Sequence, residues 1–412
     1  MKKILKCWMV VLGLGSSLAS AQTAYDLPRL ESLALENNRA VQAMRDQVNA
    51  ARAAVTTAGA FPNPEVEYQS GTARSRGVGG NSGDARSATL TQPLDLPWIR
   101  SARINAAEAG LVVASTAALT FDADVVARLR LRYFDVLRRE AELRNARLDT
   151  ELVEGMRSRI AARVETGEAP RFELIKAEAE SLNASKAVQA AGFRVMQARA
   201  LLRQAVGDAL PQDFALAGGL PDVPELASLE GSRRQMQVSS PDLARSRAEL
   251  ARAQRMLDLE RRKRWPTVAL KASRDQDPDM NTSRFGLTVS IPLWDRRSGP
   301  IGEAEAQLAR ARNELEAQAF ALDQSLDAAY QVYDIARTQV GALESGIVKK
   351  AEAALKVAES AYRFGERGFL DVVDAQRVYR AARSELITAR HELAAAWVEI
   401  ERLRALPGGK AE

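Results

Sequence analysis

A short segment near the end of the chain concentrates side chains that could do chemistry. Asp371 and Asp374 are three residues apart and therefore share one face of a helix. Two carboxylates on one face favour cations over anions. Gly167 and Gly365 interrupt long helical stretches, and each is expected to end a helix and turn the chain into a hairpin. The sequence therefore predicts charged tips on long helical hairpins.

Residue types that serve catalysis or bind transition metals are scarce. The chain has one cysteine, Cys7, and one histidine, His391, which is expected to lie on the surface of the last helix. The sequence contains no nucleophile paired with a histidine, no metal-ligand spacing and no glycine loop suited to a phosphate. We therefore expect no catalytic residues, no metal site and no cofactor. An exported enzyme is the least favoured interpretation.

The net charge of the chain resides largely in its first 21 residues. The 412 residues include 58 Lys and Arg against 53 Asp and Glu, which gives a net charge of +5. Without residues 1–21 the balance is 55 against 53, so nucleic acid is not expected as a partner. Hydrophobic residues make up 46% of the chain, which excludes a disordered protein.

The same first residues have the features of a secretory signal peptide. Lys2, Lys3 and Lys6 precede an apolar run over 8–14, and small residues at 19–21 suit cleavage. An uncleaved membrane anchor is the alternative, although the run is short for a span of about 20 residues. The remaining chain has no run of about 18 uninterrupted apolar residues, so no spanning helix is expected. Any membrane crossing is predicted to use strands.

The rest of the chain is an internal duplication. Residues 166–174 align with 364–372 at an offset of 198, and Pro-Leu at 93–94 aligns with Pro-Leu at 292–293 at an offset of 199. A stretch rich in glycine and proline separates the two copies. The predicted organisation is a signal peptide (1–21), a first structural repeat (22–206), a linker or equatorial segment (207–241), a second repeat (242–406) and a tail (407–412).

Each repeat is predicted to begin with a short helix, which in the first copy covers about 27–58. Each is predicted to end in a pair of very long helices, over 99–206 in the first copy and 301–406 in the second. In the last helix, apolar residues alternate four and three apart, as in a heptad seam. The seam comprises Ala375, Tyr379, Ala382, Leu386, Ala389, Leu393, Ala396, Ile400 and Leu403. As a helix, the proline-free stretch 99–160 would be roughly 90 Å long, about three bilayer thicknesses. The helices are therefore expected to project into an aqueous space, although a coiled-coil stalk would have the same pattern.

Two pairs of extended segments precede the long helices. The predicted strands are 64–72, 87–95, 266–274 and 284–293, each close to the 9 to 11 residues of a membrane-spanning strand. Apolar residues such as Phe285 and Leu287 alternate with polar ones. Trp98, Trp265 and Trp294 stand at strand ends, where either an interfacial aromatic girdle or the core of a soluble sheet would place them.

Four strands are too few for one chain to close a membrane barrel, since about eight is the smallest closure known. An open edge in lipid would leave backbone groups without hydrogen bonds, so the chain is expected to oligomerise. The glycine-rich residues 71–83 are predicted to form the exposed loop of the first strand pair.

The sequence resembles the outer-membrane efflux factor family, typified by TolC. The resemblance covers nearly the whole chain after the signal peptide, and its most specific motif is Tyr-Arg-Phe-Gly-Glu-Arg-Gly-Phe-Leu-Asp-Val-Val-Asp-Ala-Gln at 362–376. It implies a mainly α fold with a small β part, made of duplicated strand–strand–long helix–long helix units. It further implies a homotrimer whose 12-stranded outer-membrane β-barrel continues as a periplasmic α-helical barrel.

The resemblance also implies a function and partners. Such a duct is the outer-membrane channel of a tripartite efflux pump or a type I secretion system. Its partners would be a periplasmic adaptor protein, an inner-membrane transporter of the RND type and outer-membrane lipid. Residues 61–65, Phe-Pro-Asn-Pro-Glu, resemble the branch that serves heavy-metal cation exporters, while drugs remain the other substrate class. A periplasmic adaptor or other coiled-coil interaction protein is the alternative function.

The resemblance assigns roles to the residues at the hairpin tips. In the family, the tips marked here by Gly167 and Gly365 would meet the adaptor. In a threefold tube, the two aspartates of the 362–376 motif would place six carboxylates around one constriction. Tyr362 and Arg367 would tether neighbouring helices in the closed state, with Glu173 as their acidic partner. Ordinary solvated charges beside a turn are the alternative.

Overall fold

The computed structural model describes residues 24–74, 79, 81–220 and 226–404. The predicted signal peptide, residues 75–78 and 80 of the predicted glycine-rich loop, and the C-terminal tail lie outside these residues. The predicted loop over 71–83 is too long, because Gly71 belongs to β2 and Gly83 begins β3. The strands are β1 (Ala24–Tyr25), β2 (Glu65–Ala73), β3 (Gly83–Leu94), β4 (Ala215–Leu216), β5 (Thr267–Gln276) and β6 (Asn281–Ser290). The helices are α1 (Leu27–Asn37), α2 (Arg39–Gly59), α3 (Pro97–Glu165), α4 (Arg171–Val206), α5 (Leu229–Ser239), α6 (Pro241–Arg262), α7 (Ser298–Ala342), α8 (Val348–Arg363) and α9 (Phe369–Arg404), with a π-helical turn (Leu343–Ile347) between α7 and α8.

The same series of elements occurs twice along the chain. Two short helices, two strands and a long helical hairpin make up each copy, with α7, the π-helical turn and α8 together forming the counterpart of α3. The short helices break at equivalent capping residues. The Asn38 side chain accepts a hydrogen bond from Ala40 N at 2.9 Å, and Ser240 Oγ accepts one from Leu243 N at 3.5 Å.

Two predictions about the short helices need correction. The segment predicted as one helix over 27–58 is two helices, because Asn38 has an extended backbone and caps the second of them. The stretch 207–241, predicted as a linker or equatorial segment without a helix of its own, contains α5 and also β4, which pairs in parallel with β1. Ser228 caps α5 by accepting a hydrogen bond from Gly231 N, so a helix starts here despite the many breakers around it.

Four strands form one antiparallel sheet in the order β2-β3-β5-β6. Their bounds lie within a few residues of the predicted strands. The central pairing, β3 with β5, joins the two repeats and sets Leu90 opposite Ala272. No described strand pairs with the outer edge of β2 or of β6.

The long helices pack along their predicted seams. α3 has 69 residues and is about 100 Å long. Within the α9 seam, Ala382, Ala389, Leu393, Ala396, Ile400 and Leu403 are buried. The small alanines let neighbouring helices approach closely, while the larger residues fill the space between them. The seam prediction is thus confirmed over most of its length.

One helix departs from the expectation that no segment could span a membrane. By length and composition, part of α3 is apolar enough to cross a bilayer, and little of that part is buried within the chain. The expectation rested on uninterrupted apolar runs, whereas here alanine, valine and leucine are mixed with serine and threonine. Core helices of soluble proteins pass the same test, so the finding alone places no helix in a membrane.

Candidate functional site: hairpin tips and exposed sheet

The two helical hairpins turn with the same hydrogen-bond pattern. Gly167 has φ +79° and Gly365 has φ +76°, conformations that L-residues with a Cβ rarely adopt. After each glycine, the next residue donates its N–H five residues back: Glu168 N to Arg163 O at 2.8 Å and Glu366 N to Ala361 O at 2.9 Å. Both ends are Schellman motifs, which satisfy the last helical carbonyls. The predicted turn positions are confirmed.

A tyrosine joins the two hairpins near these tips. Tyr362 Oη at the end of α8 donates a hydrogen bond of 3.1 Å to Glu173 Oε2 in the first turn of α4. Burial and the neighbouring Glu173 carboxylate raise the pKa of Tyr362, so the phenol stays protonated and remains a donor. The Phe369 ring packs beside it, with ring centroids 6.2 Å apart.

The cation beside this pair is one that the sequence analysis missed. The Arg163 guanidinium lies 5.1 Å from the centroid of the Tyr362 ring. Arg367, which the resemblance assigned to a tether with Glu173 as acidic partner, is exposed, and no carboxylate of the described residues is an ion-pair partner for it. It belongs to the tight turn after α8 and therefore lies outside the helix packing. The sequence did carry a signal for Arg163. It stands in the last turn of α3, where a basic residue interacts favourably with the helix dipole.

The two aspartates lie in the first turns of α9 and point away from its packed face. Asp371 and Asp374 are exposed, while Phe369 and Val372 on the other face are buried. The exposed carboxylates are therefore free to face solvent or a neighbouring chain. Among the described residues, no group of three or more His, Cys, Asp and Glu could hold a metal ion.

A buried acidic residue connects three helices farther along the shaft. Asp149 of α3 is only 8% exposed, and its Oδ2 lies 3.4 Å from Arg380 Nε of α9. Arg380 also reaches Glu180 of α4 at 3.4 Å, and Arg383 donates a hydrogen bond to Asn145. Burial raises the pKa of Asp149, and the two arginines counteract that effect. Sequence reasoning missed this cluster because its members are far apart in the chain.

His391 is half-buried and not a surface residue as predicted. It lies on the part of α9 that packs against α3, close to Asp135, Arg138, Arg139 and Glu142. Burial lowers the pKa of His391, and Arg138 lowers it further. The prediction was wrong because helix periodicity alone does not tell which polar positions a neighbouring helix covers.

The four-stranded sheet has one apolar and one polar face, and both are open to solvent in the single chain. The apolar face crosses all four strands in register: Val66, Tyr68, Ala88, Leu90, Leu94, Val268, Leu270, Ala272, Phe285, Leu287 and Val289. Phe285 is 92% exposed. The opposite face carries residues such as Glu67, Thr89, Ser273 and Thr288. An exposed apolar face of this size is typical of a surface that contacts a membrane or another protein.

The three tryptophans lie at one end of this sheet, where the strands meet the helices. Trp98 is 44% exposed, Trp265 54% and Trp294 94%. They are therefore not core aromatics of a soluble sheet, which was the alternative explanation for them. All three stand at the end from which the long helices depart.

Comparison with known proteins agrees with this architecture. A model of the family described as outer membrane efflux protein matches residues 30–208 and 233–406, one match in each repeat. The chain belongs to the outer membrane efflux protein family. It is thus an outer-membrane efflux channel protein, which decides against the periplasmic adaptor as its function.

Two relatives and one solved structure illustrate the similarity. The cobalt-zinc-cadmium resistance protein CzcC of Cupriavidus metallidurans is 28% identical over 374 residues, which cover 90% of this chain and 88% of the relative. The nickel-cobalt-cadmium resistance protein NccC of Alcaligenes xylosoxydans xylosoxydans is 26% identical over 314 residues, with 75% and 70% covered. A crystal structure of CusC superposes with a TM-score of 0.78 at 17% identity, covering 93% of this chain and 92% of the other.

Proposed function

We propose that three copies of this chain form the exit duct of a tripartite efflux pump. Each copy would contribute four strands to a 12-stranded barrel in the outer membrane and its long hairpins to a periplasmic α-helical barrel. The main support for this proposal is the four-stranded sheet. Its apolar face is exposed, and its edge strands β2 and β6 have no further strand partner among the described residues. In lipid, strand edges must be paired, and pairing β2 of one copy with β6 of the next would close the wall.

The hairpin tips form the gate and the docking end of this duct. The Tyr362–Glu173 hydrogen bond holds the two hairpins together, and the ring of Asp371 and Asp374 carboxylates lines the constriction. Gly167 and Gly365 shape the tips that contact the periplasmic adaptor, which links the duct to an RND-type transporter in the inner membrane. Trp98, Trp265 and Trp294 mark the lipid interface.

Heavy-metal cations are the substrate class of this proposal. The names of the relatives CzcC and NccC both refer to resistance to cobalt and cadmium, and exposed carboxylates at a constriction favour cations. A strain that lacks the chain should become sensitive to Co²⁺ and Cd²⁺ while its tolerance of drugs is unchanged. Loss of drug tolerance alone would contradict the metal assignment.

Native mass spectrometry of the detergent-solubilised protein tests the trimer. A mass of three chains and stepwise channel currents in planar bilayers are expected. A soluble monomer that needs no detergent would contradict the proposal. The two readouts are independent, since a trimer without conductance would support the assembly and argue against an open pore.

A further inference from the structure

Two basic segments meet where the β5–β6 pair joins the helices. The first is Arg-Arg-Lys-Arg at 261–264, at the end of α6, and the second is Arg-Arg at 296–297, just before α7. Glu260 forms ion pairs with both segments. Its carboxylate lies 2.8 Å from Lys263 Nζ and 2.5 Å from Arg297 Nη2. The neighbouring residues Arg264 and Arg296 are therefore held at the same end of the sheet.

Four of these six basic residues already have acidic partners within the chain. Besides the two cations on Glu260, Arg261 pairs with Glu305 at 2.7 Å and Arg262 with Asp258 at 3.0 Å. Arg264 and Arg296 are exposed, and neither has an ion-pair or hydrogen-bond partner among the described residues. Two charges at this junction thus remain available to a ligand.

Each free arginine lies next to an exposed tryptophan in the sequence. Arg264 precedes Trp265, and Arg296 follows Trp294 by two residues. The apolar face of the sheet begins only a few residues away, where Val268 pairs with Val289. Apolar strand surface, exposed indole rings and free guanidinium groups therefore follow one another along the sheet toward the helices.

We infer that Arg264 and Arg296, with Trp265 and Trp294, bind the phosphate headgroup of an anionic phospholipid in the periplasmic leaflet of the outer membrane. This inference depends on the membrane placement of the sheet in the proposed function. Guanidinium groups form paired hydrogen bonds with phosphate oxygens. Indole rings prefer the boundary between acyl chains and headgroups, directly beside such phosphates.

The adjacent apolar surface favours a lipid over free phosphate. Inorganic phosphate would use the two cations but would leave Trp294, 94% exposed, and the nearby strand face in water. A phospholipid covers both parts, because its acyl chains lie against the strands while its headgroup meets the arginines. The paired cations around Glu260 fix the two backbone segments but carry little free charge for a ligand.

Lipid retention by the purified full-length protein tests the inference. The protein is exchanged into micelles with equal amounts of phosphatidylglycerol and phosphatidylcholine, and the retained lipids are counted by mass spectrometry. The preference for phosphatidylglycerol should fall about fivefold in R264Q or R296Q and about 25-fold in the double variant, since each cation near an anionic surface contributes a comparable factor. The matched control R312Q/R337Q removes two exposed arginines of α7 and should retain the preference.

Two further results would overturn the inference. An unchanged lipid preference in R264Q/R296Q would do so, as would suppression of phosphatidylglycerol binding by millimolar inorganic phosphate, which would indicate a free-phosphate site. If the double variant does not assemble, R264K/R296K keeps the charge and should retain most of the preference. Channel currents are recorded in parallel, because loss of lipid preference with normal currents leaves the proposed function intact.

Discussion

Tyr362 and Glu173, 189 positions apart in the chain, share a hydrogen bond of 3.1 Å between the tips of the two helical hairpins. The bond joins the two structural repeats at the end opposite the sheet. Because the tyrosine also packs against Phe369 and under Arg163, its position is fixed by three neighbours. A contact of this kind can hold the tips together and can be broken without unfolding either hairpin.

Replacing Tyr362 by phenylalanine should loosen the tips. The variant Y362F keeps the ring but removes the donor, and a half-exposed hydrogen bond to a carboxylate contributes about 1 kcal/mol. A larger mean conductance in planar bilayers is expected, because the open state becomes more populated. The control Y379F removes the hydroxyl of a tyrosine whose ring lies near Arg383 and should leave conductance unchanged. Equal conductance in both variants would mean that this bond does not restrain the channel.

Neutralising the aspartates near the tips should weaken block by cations. In a trimer, D371N/D374N removes six negative charges from one constriction, so the affinity for a blocking divalent cation should fall at least about tenfold. Conductance should rise at the same time. The block is measured by titrating Co²⁺ during single-channel recording. A block that is insensitive to these substitutions would place the constriction elsewhere.

The turn glycines offer a test of the docking end. In G365A a Cβ would meet open space, but the positive φ of +76° makes the substitution strained, by about 1–2 kcal/mol. Assembly with the adaptor should be impaired while the trimer persists, as measured by pull-down and native mass spectrometry. G368A, in the same turn but without a positive φ, is the matched control. Loss of the trimer in G365A would assign this turn to subunit assembly.

Acid should weaken the junction between sheet and helices through Glu260. Burial raises the pKa of this carboxyl, but hydrogen bonds from Lys263 and Arg297 outweigh it, so the pKa lies below the ordinary 4.5. A lowered pKa means that the pair stabilises the fold above about pH 4.5 and that this stabilisation is lost as the pH falls through the lower value. Thermal unfolding followed by circular dichroism between pH 6 and 3 should be less pH-dependent in E260Q. E305Q, which removes the exposed partner of Arg261, should behave like the unmodified chain.

The local elements of this protein were predictable because each has a short sequence period. Alternating residues such as Phe285 and Leu287 predicted β6, and apolar residues four and three apart predicted the packed face of α9. Gly167 and Gly365 predicted the hairpin turns, since only glycine adopts a positive φ without strain. Asn38 and Ser228 are capping residues that start helices. The glycines and prolines around α5 obscured the signal of Ser228, and the apolar pattern that continues past Asn38 obscured the break between α1 and α2.

Contacts between distant segments were harder to predict. The resemblance assigned a tether to Arg367 together with Tyr362, whereas the arginine over the Tyr362 ring within this chain is Arg163. The reason is that the tip ends of α3 and α8 contribute to one apolar cluster. The clusters around Asp149 and Glu260 likewise combine residues from separate helices. Which residues of a long hairpin meet depends on where the chain turns and on how its helices twist around each other. Neither can be derived from the local spacing of apolar residues.

The sequence by itself determined the duplication, the strand and helix pattern and the resemblance to a family of efflux channels, because these depend on residue type and spacing along the chain. The tertiary structure decided which charges meet and which remain free. In the folded chain, Tyr362 donates a hydrogen bond to Glu173 and the His391 side chain is half-buried. Arg264 and Arg296 have no acidic partners among the described residues. The physical reason is that side-chain pairing depends on the register and crossing of packed elements, which form only when the whole chain folds.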